Sequence, residues 1–245
     1  MIPQHFLMDK YLMEMNKKIG DYSPILPIET NHYAIIVESR INHNILSILK
    51  NHMYFLNEGN SLIKWGLQFF HGFENEEYIK NITSDWKNIH FEKIEVKHFT
   101  KESFSEYFKS VNFWERVKGN KILTFQLDSL LLRHGIDEFL EYDYIGAPWT
   151  KPKEGSFIGN GGLSLRTKEK MLEISKKYVN SDPIWEDIFF AKHLKNHNLP
   201  NLETAMKFSV EDIFHPNPLG IHNPIKTPIY LVDLLLNKSL SSFDL

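Results

Sequence analysis

The chain contains no cysteine. Disulfide frameworks and thiolate metal sites are therefore excluded, and any bound metal must use oxygen and imidazole ligands. Long apolar runs are missing too. No segment reaches the roughly 18 consecutive apolar residues of a membrane-spanning helix. The opening residues Met1-Ile2-Pro3-Gln4-His5 lack the basic stretch and apolar run of a secretory leader. A cytoplasmic location is expected, with a viral factory or a virion interior as variants of it. Charge of one sign is scarce: 28 Lys and Arg stand against 31 Asp and Glu, a net −3. That balance argues against a nucleic-acid partner, which needs a basic surface. Also absent are the Gly-x-x-x-x-Gly-Lys phosphate loop, Gly-x-Ser-x-Gly and His-Glu-x-x-His. No internal repeat or low-complexity tract occurs.

What is present is a globular composition, 42% hydrophobic over 245 residues, ample for a substantial core. Residues 1–30 read as an N-terminal arm, with Phe6, Leu7, Tyr11, Leu12 and Met15 on a short amphipathic helix and Pro24 and Pro27 forcing an extended run. Residues 31–245 read as one domain. Tyr33-Ala34-Ile35-Ile36-Val37 is an uninterrupted apolar run of the kind buried in parallel sheets. Helical spacing follows over 42–56, strands over 63–70, 89–96 and 121–126, and a short helix over 75–82. Residues 100–117 predict a single helix with Phe104, Tyr107, Phe108, Val111, Trp114 and Val117 on one face. Strands alternating with helices imply a Rossmann-like, mostly parallel central sheet flanked by helices. Ligands of such sheets lie beyond the C-terminal strand ends, where Glu38-Ser39-Arg40 and Asp128 stand.

The second half is less regular. Tyr142 to Trp149 reads as strand-like before a turn, 151–157 as a polar mobile loop, 163–165 as a strand and 167–178 as a helix. Asp182 and Pro183 form a good N-cap and first helical residue for a helix to about Asn196. The Pro-rich tail wraps as a loop before a last apolar segment, 229–236.

The candidate chemistry gathers in a few pieces. Gly159-Asn160-Gly161-Gly162 leads into the strand Leu163-Ser164-Leu165, and glycines so packed suggest close approach to backbone. A sugar on the backbone amides, with Asn160 on a hydroxyl, is one reading; a tight bulge is the other. Asp128 closes an apolar strand. It suits a divalent ion on a diphosphate, or equally an N-cap of the turn that follows. Gln126, on the same side of the extended chain, suits a ribose or a metal-bound water. Glu38 and Arg40 form either an ordinary surface pair or a diphosphate contact, for which the Arg fork is suited. On a helical wheel Asp187 falls in the apolar arc and Glu186 on the polar side near His193. Desolvation would raise the pKa of Asp187 and make it a better base; a first-turn acid favoured by the helix dipole is the alternative. His222 in the late loop, with His215 as rival, suits an imidazole ligand. Trp149 and Trp185 are candidates to stack on an acceptor, against the alternative for Trp149 of a core anchor.

The segment from Lys121 to His222 resembles a family of glycosyltransferase-like domains found in viruses, fungi and bacteria. The likeness is carried by Leu123 to Ser129, Tyr142 to Trp149, Gly159 to Arg166, Glu186-Asp187, Phe208 to Glu211 and Gly220-Ile221-His222. The motif order is also similar to that of the GT-A glycosyltransferases, including the β-1,3-galactosyltransferase/Fringe and β-1,4-galactosyltransferase families. The resemblance implies a GT-A-like α/β single domain, with residues 31–130 as the nucleotide-binding half and 131–245 as the sugar/acceptor half. It implies inverting transfer from a nucleoside-diphosphate sugar, UDP foremost, to a hydroxyl of a glycan or protein acceptor. Carried over, Asp187 is the general base within the Glu186-Asp187 pair. Glu38, Arg40, Gln126, Asp128, Asn160, Gly161 and Gly162 meet the donor, and Trp149 and Trp185 the acceptor. Asp128 and His222 hold Mn²⁺ or Mg²⁺. Gln126 departs from the pattern, because it stands where the first acid of an Asp-x-Asp motif belongs. Other readings compatible with these residues are a noncatalytic GT-A-like module that binds a glycan or nucleotide, and a nucleotidyltransferase. A homodimer is compatible with the sequence.

Overall fold

The computed structural model describes residues 4–59, 61–178, 184–194 and 197–244. The first half runs α1 (Gln4–Ile19), β1 (His32–Glu38), α2 (Ile45–Asn57), β2 (Gly66–His71), α3 (Glu76–Ile82), β3 (His90–Lys93), α4 (Lys101–Lys109), α5 (Val111–Arg116), β4 (Lys121–Phe125) and β5 (Ser129–Leu131). The second half adds β6 (Tyr144–Gly146), β7 (Pro148–Lys153), β8 (Ser156–Ile158), β9 (Leu163–Thr167), α6 (Lys168–Tyr178), α7 (Glu186–His193), α8 (Leu202–Phe208), β10 (Ser209–Val210), β11 (Gly220–His222) and α9 (Ile229–Ser241).

The central sheet has the order β3-β2-β1-β4-β9-β6. The first four strands pair in parallel, and β9 runs antiparallel to both β4 and β6. Both faces are covered, which is why β1 is apolar throughout and does not alternate. Ala34 and Ile36 face one core with α1, α2 and α9, whereas Tyr33, Ile35 and Val37 face a second with Phe113 and Trp114 of α5, Met171 and Ile174 of α6, and Phe189 and Phe190 of α7. The α/β fold class expected from the alternation is the one observed. Among the described residues no helix is long and apolar enough to cross a membrane.

Two smaller sheets bring the motifs together. β5 leaves the end of β4 and joins β11 and β10 in a three-stranded sheet, with His222 paired opposite Ser129. The Asn223 N–H donates to the Asp128 carbonyl at 2.9 Å, so the late histidine is stitched beside the strand-end acid. On the other side Phe125 pairs with Leu163, and the Gln126 N–H donates to the Gly162 carbonyl at 2.9 Å. Register alone thus places the glycine run, the strand-end acid and His222 at one point.

Several local expectations are corrected. Residues 129–131 are a strand, so Asp128 caps no helix turn. The polar segment 151–157 forms a hairpin of β7 and β8, closed by Glu154 and Gly155 with φ of 47° and 81°. Two successive positive φ values match the twist of the flanking strands, and Gly155 adopts its value without steric cost. The Pro-rich tail, expected as a wrapping loop, carries the strand β11 before α9. The proposed cap Asp182-Pro183 and the helix end at Asn196 lie outside the described residues; the described helix begins at Glu186. The arm is more deeply placed than a lead-in: α1 buries Leu7, Met8, Tyr11, Leu12 and Met15, and the Tyr11 hydroxyl meets Ser239 of α9 at 2.9 Å.

The single helix expected over 100–117 is broken at Ser110, whose backbone is extended at φ −73° and ψ 145°. Its hydroxyl donates to the Tyr107 carbonyl at 2.7 Å and accepts from the Phe113 N–H at 3.1 Å. One hydroxyl thus closes α4 and caps α5. Ser110→Ala should cost about 1 kcal/mol in urea unfolding. A continuous helix would instead gain a few tenths from alanine, so a stabilised variant would contradict the break.

Candidate functional site

A cleft of about 980 Å³ opens at the C-terminal ends of β1 and β4. That size suits a nucleotide-sized ligand with room beside it. Of the site residues expected from the sequence, all but Trp149 and the rival ligand His215 line the cleft.

At the end of β1, Glu38 is buried and takes Arg40 in a two-pronged contact, Nε to Oε1 and Nη2 to Oε2, both at 2.9 Å. The Arg40 side chain is 68% exposed. Glu38 therefore orients a guanidinium whose remaining donors face the cleft. The pair raises the pKa of Arg40 further, chiefly through its hydrogen bonds to Glu38, and the charge of Asp128 reaches it as well.

At the end of β4, the carbonyl of Gln126 accepts from both the N–H and the hydroxyl of Ser129, turning the chain so that Asp128 meets the cleft. His222 lies between two carboxylates. Its Nε2 is 3.3 Å from Asp128 Oδ1 and its Nδ1 3.5 Å from Glu211 Oε1, neither with hydrogen-bond geometry. Burial on its own lowers the imidazole's pKa, but Asp128 and Glu211 together outweigh it and hold the ring up at about 9. The two carboxylates thus favour the charged form of the ring between them. The rival His215 does not line the cleft; its Nδ1 accepts from the Asn217 N–H at 3.1 Å.

A divalent ion can be tested against these donors. Among the described residues no cluster of three or more His, Asp and Glu side chains could hold a metal. Asp128 and His222 do offer a carboxylate oxygen and an imidazole nitrogen, ligand types suited to Mn²⁺. Both ring nitrogens are buried without a hydrogen bond. Glu211 stands behind the ring as the carboxylate that commonly orients a ligating histidine. The residues fit an ion whose remaining ligands come from a diphosphate or water.

The glycines of the 159–162 run make room for side chains of the protein itself, and Gly161 and Gly162 line the cleft. A Cβ on Gly161 would lie 1.9 Å from Glu186 Oε1, and one on Gly162 would lie 2.0 Å from His222 Nε2. Each glycine leaves the space that one charged side chain fills. Asn160 Oδ1 accepts from the Gly162 N–H at 2.9 Å and holds the run in shape.

The carboxylate pair is oriented opposite to the wheel. Glu186 is the inward residue. It receives Arg166 Nη1 at 2.8 Å and Nη2 at 3.1 Å. Asp187 is only partly buried and faces the cleft. The wheel treats the helix as isolated, but the interior beneath α7 holds a fully buried guanidinium. Arg166 comes from β9 and is ringed by Tyr144, Phe190, Phe108 and Trp114 at 4.8 to 5.9 Å. Its charge demands the inward carboxylate. Glu186 is thereby committed to Arg166 and is not available as a base. The Asp187 carboxyl is pushed up from 3.8 to about 6, first by burial and then by the neighbouring charge of Glu186; the Ile188 N–H, Lys153 and Arg166 oppose the rise.

The two tryptophans also part. Trp149 is core, packed on Gly159 beneath the hairpin with the Lys153 ammonium 4.3 Å over its ring. It is not an acceptor platform. Trp185 is exposed at the cleft. Arg166, Glu211 and Lys153 were not singled out from the sequence. A signal existed for Arg166: it shares strand parity with Ser164 in an otherwise apolar strand, so its charge had to be met inside. Glu211 and Lys153 carry no comparable local mark.

Residues 88–222 match the family described as "Protein of unknown function (DUF5672)", and the chain belongs to that family. No curated protein matches the chain. The fold is similar to that of mouse xyloside xylosyltransferase 1 in its apo form, with a TM-score of 0.54 at 13% identity over 82% of this chain and 100% of that one. It is also similar to the glycosyltransferase GlyE of Streptococcus pneumoniae TIGR4, at 0.50 and 11% identity over 87% of this chain and 62% of that one. The apo form of GlyE gives 0.47 and 12% identity over 86% and 64%. The chain therefore spans less than two thirds of the GlyE chains. The likeness shows a glycosyltransferase-like, GT-A-type fold.

Glu186→Gln leaves the Arg166 charge buried and unpaired, and should cost about 3–5 kcal/mol in urea unfolding. Replacing both partners with Met and Leu should recover most of that loss. Equal losses for the single and double variants would contradict the pairing.

Proposed function

We propose that this DUF5672 chain transfers a glycosyl group from a nucleoside-diphosphate sugar, UDP foremost, to an acceptor hydroxyl with inversion. The observation that carries the reading is Asp187: a carboxyl with its pKa raised to about 6, opening on the same cleft as the Arg40 guanidinium and the Asp128–His222 pair. A base poised near neutral pH and groups that stabilise a leaving diphosphate are the two things such a transfer needs.

In this reading Asp187 takes the proton of the acceptor hydroxyl. The oxygen attacks the anomeric carbon from the face opposite the diphosphate, the carbon–oxygen bond to the diphosphate breaks, and the diphosphate leaves with the electron pair. Arg40, held by Glu38, donates to the leaving oxygens. Asp128 and His222 would hold a Mn²⁺ or Mg²⁺ ion, with Glu211 orienting His222. When bound, that ion supplies Lewis-acid neutralisation of the diphosphate charge. Gln126 contributes no charge where an acid would stand. Glu186 acts through position: it neutralises Arg166, turns Asp187 to the cleft and helps keep its pKa high.

The missing acid at 126 also favours a second reading, a noncatalytic module that binds a glycan or nucleotide on the same fold. Donor hydrolysis or transfer over a panel of nucleotide sugars separates the two.

Asp187→Asn should lower transfer by at least about 100-fold with nucleotide binding kept, as loss of a general base does. Wild-type transfer should rise as pH increases through about 6, where Asp187 loses its proton. The same variant has a stability signature. Folded Asp187 binds its proton more tightly than the unfolded chain does, about 6 against 3.8. Ionisation therefore costs stability, progressively between those values and fully above about 6. Asp187→Asn should raise Tm at pH 7.5 and lose that gain below pH 4, whereas wild-type turnover in the variant would refute the base assignment.

A further inference from the structure

We propose that the α4–α7 end of the cleft is an acceptor subsite for a saccharide, docked by an apolar ring face on Trp185 and Phe104; this rests on the glycosyl-transfer reading above. The chain has five tryptophans. Trp65, Trp86, Trp114 and Trp149 are 0, 6, 0 and 2% exposed, whereas Trp185 is 46% exposed. A large aromatic left open at a cleft wall marks a contact surface. Trp185 lies two residues before Asp187, and both line the cleft.

α4, which packs against α7, and the segment before it line the same cleft. Phe99, Thr100, Phe104 and Ser105 line the cleft there. Phe104 is held flat against Phe108 at 4.6 Å and edge-on to Phe99 at 5.7 Å. Ser105 is 4% exposed, and its hydroxyl has no hydrogen-bond partner among the described residues. Such a buried hydroxyl calls for a partner.

The platform is anchored. The buried Lys109 ammonium donates to the Ile184 carbonyl at 3.0 Å, tying the Trp185 segment to α4, and the Trp185 carbonyl accepts from the Phe189 N–H at 2.8 Å. A wall of aromatic planes interrupted by hydroxyls complements a pyranose. The ring presents a face of C–H groups to the electron-rich π surface and a rim of hydroxyls to polar partners. The β1 and β4 ends, with Arg40 and Asp128, are left to the nucleotide diphosphate.

Because Trp185 alone among the tryptophans is exposed, iodide quenching of the intact protein reads this subsite, and Trp185→Phe identifies the quenchable emission. The probes are neutral mono-, di- and trisaccharides and hydroxyl-bearing peptides, each with and without UDP and all in the presence of Mn²⁺, while thermal shift under the same conditions follows UDP independently. At least one saccharide should shield Trp185 severalfold, and Phe104→Ala should weaken its Kd about tenfold, the effect of losing one aromatic contact, with the UDP thermal shift unchanged. Shielding by a peptide and by no saccharide overturns the proposal, and so does shielding by UDP alone. No shielding while UDP still raises Tm overturns this subsite only. No shielding and no thermal shift with UDP or any other nucleoside diphosphate overturns the glycosyl-transfer reading with it.

Discussion

Arg166 carries a permanent charge into the interior of the fold, and the geometry of the cleft follows from how that charge is met. The guanidinium is fully buried, ringed by four aromatic side chains and bonded through Nε to Ser164 at 2.9 Å. Burial alone disfavours the charged form; Glu186 more than offsets it and holds Arg166 charged. For Glu186 to arrive, residue 161 must lack a side chain, because a Cβ would stand on its carboxylate oxygen. With Glu186 turned inward, the next residue on the first turn of α7 points to the cleft. A charge pair that ties β9 to α7 therefore decides which carboxylate remains for chemistry and raises that carboxylate's pKa.

The other half of the cleft obeys a similar logic. β4 ends at the Gln126–Asp128 turn, where the chain passes from the large sheet to the small one. β11 returns antiparallel to β5 and lays His222 beside Asp128. Gly162 leaves room for the ring, and Glu211, just beyond β10, stands on its far side. Two carboxylates around one imidazole favour a cation, whether the protonated ring itself or an ion that shares Asp128 and His222. The glycines of one motif thus serve two different charged partners, one on each side of the cleft.

Much of this was legible in the chain. The apolar run Tyr33–Val37 announces a strand buried on both faces, and acids or Arg just past strand ends announce where a ligand lies. These signals are local or follow from a general rule of parallel sheets. What stayed hidden depends on distant partners. A wheel drawn for α7 cannot see Arg166, 20 residues earlier on another element, so it exchanges the orientations of Glu186 and Asp187 while still pointing to Asp187 as the base. The glycine run signals crowding but not the identity of the crowding group. Trp149 follows the same Ala-Pro step that a loop would, and only its packing on Gly159 and under Lys153 makes it core. The break at Ser110 was masked by an aromatic stripe that continues in helical register across it. The strand β11 lies in a tail whose prolines read as loop, because a strand of three residues leaves no periodicity.

The proposed transfer requires this cleft to bind a nucleoside diphosphate through Arg40 and an ion on Asp128 and His222. Thermal denaturation with UDP, GDP, dTDP, CDP and ADP, each with and without Mn²⁺, tests it most directly, since a ligand of the folded state alone raises Tm by mass action. One diphosphate should raise Tm only when Mn²⁺ is present, and Asp128→Asn should abolish the shift. If no diphosphate moves Tm with or without the ion, the cleft is not a donor site and the account fails.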